Sequence, residues 1–456
     1  MVAVVHWLGS ICVRRVLPDG QHLAIFQPEG NEFPATAEFS LADWARRPDR
    51  ADLVRLSICA LPAGPRVHSF WGSGTAVVRV PAQQRAASPA SGRGFTRLTK
   101  NGPKSPASPS QAGSWRGEFR VAVVGAATLK GRELKDVLAE RNFPARDTRL
   151  LDDEESLGQL ETVGDEPTFI QSVLPEHLEN VDFTFFASDE AYTHRTWQMA
   201  RKAGSDIIDL SYALEGETGV SLRAPWVERE LAASPKIDFG GAPVAVAHPA
   251  AMVLALLLLR VQKAGEIARA VVTAFEPASE HGRRGMDELH EQTVNLLSFQ
   301  QLPRSVFDAQ VAFNLVDRYG EKSLPTLASV EGRIQRHFRT IVAGRVPVPS
   351  LMLLQAPIFH GHAFSIYIEM TAPVQVEQLT RALAGEHVEI AQGTEDSPSN
   401  VNAAGQEQIQ VTLRHDPEHA SGVWLWAASD NLRLAAVAAV ECAEGLIAGR
   451  PRGKVQ

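Results

Sequence analysis

The loop Gly125-Ala-Ala-Thr-Leu-Lys-Gly131 has residue types and a spacing that suit phosphate. Gly125 permits a sharp exit from a strand and Gly131 lets the next helix pack closely on it. A dinucleotide pyrophosphate would then sit on that helix N-terminus. A complete fingerprint has a further glycine in the middle of the loop, where Thr128 stands here, so the pattern marks the fold more firmly than the ligand. Roughly 20 residues on, the chain carries Asp152-Asp-Glu-Glu155. A single acid at that distance suits the ribose hydroxyls of NAD, whereas four in a row read as a solvated acidic loop. The three cysteines, Cys12, Cys59 and Cys442, are too far apart to form a disulfide framework or a metal-ligand cluster, so no metal is expected and a reducing cytoplasm suits the chain. Cys442 reads as a small buried core residue.

The elements that position the loop are legible around it. Val121 to Val124 is a β-branched run fit for the central strand of a parallel sheet. Strand-like and helix-like segments then alternate: Thr148 to Asp152, Val181 to Ala187, the helix Tyr192 to Ala203, Asp206 to Leu210 and Val244 to Ala247. That alternation is the mark of an α/β domain of Rossmann type. The apolar run Ala250 to Leu259 is about half of the ~20 residues a membrane span needs and reads as a buried helix. Beyond it, longer strands (Ala268 to Phe275, Ala363 to Met370, Gln408 to Arg414, Val423 to Ala428) alternate polar and apolar residues, as in an α+β domain whose sheet covers helices on one face. Val437 to Ala448 closes the chain as an apolar helix able to return to the first domain.

Residues 1–116 differ in kind. They are rich in Arg, Pro, Ala, Ser and Gly, contain Ser105-Pro-Ala-Ser-Pro-Ser-Gln111, and are expected to be a disordered extension or sequence upstream of a mis-set start. With 456 residues, 44% hydrophobic and 21% charged, the chain has room for two or three globular domains. Its net charge of −8 argues against a nucleic-acid partner.

From Phe119 nearly to the end, the order of segments resembles the aspartate-semialdehyde dehydrogenase family. The residues that carry the likeness are Val121-Ala-Val-Val-Gly-Ala126 with Gly131-Arg-Glu-Leu134, Glu140-Arg-Asn-Phe-Pro144, Gly285-Met-Asp-Glu-Leu289 with Glu291-Gln-Thr293, Ala312-Phe-Asn314, Pro357-Ile-Phe-His-Gly-His362 and Asp430-Asn-Leu-Arg433. The resemblance implies a nucleotide-binding domain over 117–250, completed by a helix over 430–450, and a dimerisation and catalytic-like α+β domain over 251–429. It also implies a homodimer. NAD or NADP would lie against Gly125, Ala126, Thr128, Leu129, Gly131 and Asn431. The family's chemistry is reductive dephosphorylation, in which a thiolate attacks an acyl phosphate and hydride reduces the thioester to an aldehyde.

Set against that chemistry, the chain departs at most of the places that matter. Ala251 stands where the family has its nucleophilic cysteine at the start of the apolar helix. His362 matches the family's base, with His360 beside it, and Arg333 matches a substrate-binding lysine. Gln355 and Glu215 replace the two arginines that hold the substrate's anionic groups, and Glu276 replaces a glutamine. The family binds the 2′-phosphate of NADP with a Ser and an Arg where this chain has Asp152 to Gly158, and Leu434-Ala435 replaces a Lys-Gly near the nicotinamide. The chain therefore reads as an inactive, Usg-like paralogue that keeps the fold and the dimer and can bind a protein partner. The alternative is an NAD-dependent oxidoreductase acting on an aldehyde or acyl substrate of amino-acid biosynthesis, with His362 as acid–base catalyst.

Overall fold

A computed structural model describes residues 119–163, 166–232, 242–391 and 397–449, together with the backbone of four strands nearer the N-terminus. Those four strands, Val2–Trp7, Ser10–Val16, His22–Pro28 and Ala76–Val80, pair antiparallel in chain order within Met1–Ala107, a unit of its own. The expectation of a disordered or mis-set extension over 1–116 otherwise lies outside the described residues, as does Cys59; Cys12 lies in the second of these strands.

The second unit opens with β1 (Phe119–Val124), whose residues Val121 to Val124 are fully buried. Burial on both faces is what a β-branched run predicts for a central strand. β1 is flanked by β2 (Ala145–Asp152) on one side, followed by the short β3 (Gln171–Ser172). On the other side lie β4 (Phe183–Phe186), β5 (Asp206–Asp209), β6 (Ser221–Arg223) and β7 (Val244–Val246). The order is β6-β7-β5-β4-β1-β2-β3, and every pairing is parallel. This is a doubly wound sheet whose order reverses beside β1, so the loop after β1 opens at a topological switch point, where such sheets bind ligands.

Helix α1 (Leu129–Glu140) follows the loop and α2 (Glu190–Lys202) follows β4. The apolar run becomes α3 (Pro249–Ala264), buried from Pro249 to Val261 because it is apolar all round. It runs through the 250/251 boundary expected between domains. A hairpin, Leu160–Val163 with Glu166–Phe169, is inserted after β2 and was not legible in the sequence.

The second sheet is mixed. Its strands β8 (Ile267–Glu276), β9 (Ser350–Gln355), β10 (His362–Met370), β11 (Val388–Ile390), β12 (Ile409–His415) and β13 (Gly422–Ser429) lie in the order β9-β8-β10-β13-β12-β11. The expected period of two holds along β10. Phe364, Ile366 and Ile368 are fully buried, while Ser365, Tyr367 and Glu369 lie half-buried on the opposite face beside Trp424 and Trp426. Helices α4 (Gly282–Leu297), α5 (Leu327–Val342) and α6 (Val376–Leu383) complete this part. The final helix α7 (Asn431–Gly449) returns to α1, with Arg141 pairing to Glu444 at 2.8 Å and Arg433 to Glu133 at 3.1 Å.

Candidate functional site

The start of α3 faces the ends of β5, β8 and β10. Its cap is His248, whose Nδ1 accepts the Ala250 amide at 3.2 Å, which leaves the ring proton on Nε2. Burial holds this imidazole well below its ordinary pKa, in its neutral form. Ala251, in the first turn, is fully buried. Tyr212 stacks on His248 with ring centroids 5.3 Å apart, held at φ 68° in the left-handed region that a side chain this large rarely adopts.

Beyond His248 lies a buried acid–base pair. His362 Nε2 is 3.0 Å from Glu276 Oε2, and neither residue has exposed surface. Against the cost of burial, the hydrogen bond and charge of Glu276 raise the His362 pKa, while burial raises that of Glu276. His360 is half-buried in the loop before β10. Two residues that sequence reasoning missed complete this centre. Glu280 accepts the Asn431 side-chain amide at 2.8 Å, and against burial the charge of Lys130 and that hydrogen bond bring its pKa down to about 2. Lys130 comes from the first turn of α1, lies 4.4 Å from the Tyr212 ring centroid and donates to the Leu210 carbonyl at 3.3 Å.

Glu215 and Gln355, the residues expected to replace two arginines, are both engaged by the chain itself. Glu215 receives Arg333 Nε at 3.2 Å, Arg336 Nη2 at 2.9 Å and His337 Nε2 at 2.6 Å. Against burial, the His337 hydrogen bond and the Arg333 charge hold its pKa at about 2. Arg333 is further tied to Glu190 at 2.7 Å. Arg336 and His337 follow Arg333 by three and four residues on α5, so they share its helix face, a spacing that could have pointed to them. His337 Nδ1 accepts the His248 backbone amide at 2.9 Å, which joins this cluster to the start of α3. Gln355 is fully buried and its polar atoms are engaged. Its oxygen accepts Tyr319 Oη at 2.7 Å, and its amide donates to the carbonyls of Glu276 at 3.0 Å and Ala356 at 2.8 Å.

At the nucleotide end, Gly125 has φ +84°, and a Cβ there would lie 2.4 Å from the Ser188 amide nitrogen. A Cβ on Gly131 would lie 2.0 Å from the Gly125 carbonyl oxygen. Both glycines are therefore required by strand–loop–helix packing. Thr128 caps α1 by accepting the Gly131 amide at 2.9 Å and sits within 2.9 Å of the Gly125 and Ala187 carbonyls. The first amides of a helix have no intrahelical acceptor, so those of Leu129 and Lys130 are available to a pyrophosphate. Ala126 is buried beneath the loop. Asn431, at the start of α7, is turned inward: Oδ1 accepts Ser279 Oγ at 3.2 Å and the Gly361 amide at 3.1 Å. Leu434 and Ala435 are buried in the same helix.

One expectation is modified and one holds. The acidic run is not wholly solvated, because Asp152 is buried at the end of β2, where its Oδ2 accepts the Ala127 amide at 2.7 Å. Cys442 is buried in α7, and burial pushes its thiol pKa up, so it is a poor nucleophile. Among the described residues no group of three or more His, Cys, Asp or Glu could hold a metal ion, and no helix is long and apolar enough to cross a membrane.

Comparison with known proteins agrees with this architecture. Residues 120–234 match the semialdehyde dehydrogenase NAD-binding domain, and residues 258–434 match the semialdehyde dehydrogenase dimerisation domain. The chain is 32% identical to a USG-1 protein homolog of Pseudomonas aeruginosa, over 72% of this chain and 98% of that protein. It is 28% identical to the aspartate-semialdehyde dehydrogenase of Rickettsia bellii, with the same coverage of both chains. Among solved structures, a probable aspartate-semialdehyde dehydrogenase from P. aeruginosa superposes with a TM-score of 0.66 at 30% identity, over 73% of this chain and 99% of that one. Sequence pattern, sheet order and these relatives lead to one conclusion: the chain belongs to the semialdehyde dehydrogenase family.

Proposed function

We propose that this protein is a catalytically inactive relative of the aspartate-semialdehyde dehydrogenases that keeps their fold and homodimer and fills the substrate site with its own side chains. The observation that carries this reading is Glu215 seated among Arg333, Arg336 and His337. A substrate carboxylate or phosphate would have to displace a carboxylate that already makes three charge-assisted hydrogen bonds, at a cost of roughly 2–5 kcal/mol. The methyl group of Ala251 cannot form a thioester, which supports the same reading.

The test is an assay of purified protein for acyl-phosphate-dependent oxidation or reduction of NAD or NADP. No turnover is expected, and Ala251→Cys alone remains inactive because Glu215 and Gln355 still occupy the substrate's place. Turnover near the ~10 s⁻¹ of a typical enzyme would overturn the proposal. The dimer is read from the half-buried face that carries Tyr367, Trp424 and Trp426. Light scattering on the full chain should give twice the monomer mass.

A second reading, an NAD-dependent oxidoreductase with His362 as acid–base catalyst, is favoured by one feature. His362 is paired through Nε2 to Glu276, and its Nδ1 has no hydrogen-bond partner among the described residues. It predicts hydride exchange between NAD and an aldehyde without any acyl phosphate, and the same assay run with aldehydes alone separates the two readings.

A further inference from the structure

We propose that the glycine-loop site takes a dinucleotide whose adenosine ribose carries a free 2′-hydroxyl, NAD or NADH, and rejects the 2′-phosphate of NADP. Asp152 ends β2 as a fixed acceptor. Its Oδ2 accepts the Ala127 amide at 2.7 Å, its Oδ1 accepts the Asp153 amide at 2.9 Å, and Tyr192 Oη anchors its carbonyl at 3.1 Å. Each carboxylate oxygen keeps a further lone pair, and an acid at this position relative to the glycine loop is placed for ribose hydroxyls. This is a built position, not the tip of a mobile acidic loop.

The surroundings exclude a dianion. Asp153 caps the short turn Glu154–Ser156, and both Glu154 and Glu155 are exposed. Burial and the charges of Asp153 and Asp189 push the Asp152 carboxyl pKa up, so the local field is already negative. The cations on the neighbouring face of α1 are committed elsewhere. Arg132 and Lys135 both pair with Glu161 of the inserted hairpin, at 3.0 Å and 2.9 Å. A 2′-phosphate would meet four carboxylates, with the adjacent cations already neutralised. The inference rests on the family's assignment of a nucleotide-binding domain, and not on the loss of chemistry at the substrate end.

The experiment is a fluorescence titration of the full chain with NADH and with NADPH, repeated on Asp152→Asn and on the exposed-loop variant Glu154→Ser/Glu155→Arg. NADH should bind at least about tenfold more tightly than NADPH. The loop variant should strengthen NADPH by about tenfold and leave NADH unchanged, while Asp152→Asn should weaken NADH by a similar factor. If Asp152→Asn fails to fold, the exposed pair still decides, because its side chains lie in solvent. NADPH binding as tightly as NADH in the parent chain overturns the proposal. So does a gap that the loop variant leaves unchanged, or the absence of binding by either nucleotide at millimolar concentration. Acyl-phosphate turnover, in contrast, would sink the inactive reading and leave this one standing.

Discussion

The glycine loop and the side-chain cluster at the start of α3 lie side by side, joined by Lys130 over the Tyr212 ring, yet they are built differently. At the loop, the positions that shape the backbone are intact. Gly125 and Gly131 have no room for a Cβ, and Thr128 caps α1. At the start of α3 most polar groups have an internal partner instead: His248 caps its own helix, Glu215 accepts from Arg333, Arg336 and His337, and Gln355 is bound by Tyr319, while Nδ1 of His362 has none among the described residues. The contrast teaches that packing constraints and ligand constraints are separable. A residue required by its neighbours resists replacement even where its chemistry is idle, whereas a binding cation can be quenched by one carboxylate with little disturbance to the fold.

If that separation is right, the largest effects should follow changes at the packing positions. Gly125→Ala should cost about 3 kcal/mol or more, since it combines a disfavoured φ with a clash against the Ser188 backbone. Denaturant unfolding measures this, and a loss under about 1 kcal/mol would show that the loop is looser than described. Next comes Glu215→Arg, which sets a third guanidinium beside Arg333 and Arg336, removes the acceptor of His337 and should cost roughly 3 kcal/mol. Glu215→Gln should cost less, about 1–2 kcal/mol at neutral pH once solvent screening is allowed for.

The pH dependence sharpens the same point. The Glu215 pKa is depressed in the folded protein to about 2, against about 4.3 in an unfolded chain. Its contribution is therefore fully present above the unfolded value and is lost as pH falls from about 4.3 towards 2. The stability difference between the parent and Glu215→Gln should shrink across that window, and a difference that persisted at its acid end would show that the cluster is held by packing and not by charge. Asn431→Ala is of comparable or smaller size. It unties Ser279, Gly361 and Glu280 from α7 and should cost about 1–2 kcal/mol, read as a shift in the urea midpoint with an unchanged slope.

Much of the architecture was legible because it is written in short stretches. The run Val121 to Val124, the two glycines and the apolar residues of α3 each specify their element locally, and the observed bounds lie within a few residues of those read from the sequence. The resemblance also singled out Ala251, Glu215 and Gln355 in the sequence. Their partners were not legible. Glu215 meets Arg336 and His337 from more than 120 residues away, and Tyr319 meets Gln355 from 36 residues away, across α5. Asp152 was misjudged for a related reason. Its neighbours in sequence are solvated, and only the packing of β2 against the glycine loop shows that its carboxylate is held inside.

The return of α7 to α1 has a consequence for how the chain comes to exist. Arg433 reaches Glu133 across 300 residues and also contacts Glu140, and Arg141 meets Glu444 across 303. A ribosome releases the first of these partners long before the last. Until synthesis is nearly finished, the nascent first domain must hold open the apolar groove on α1 and the sheet that α7 will later cover, including the places of Val437, Val440 and Leu446. Vectorial folding therefore cannot complete this domain early, and a chain truncated before Asn431 would emerge with that groove exposed, as a natural client for chaperones.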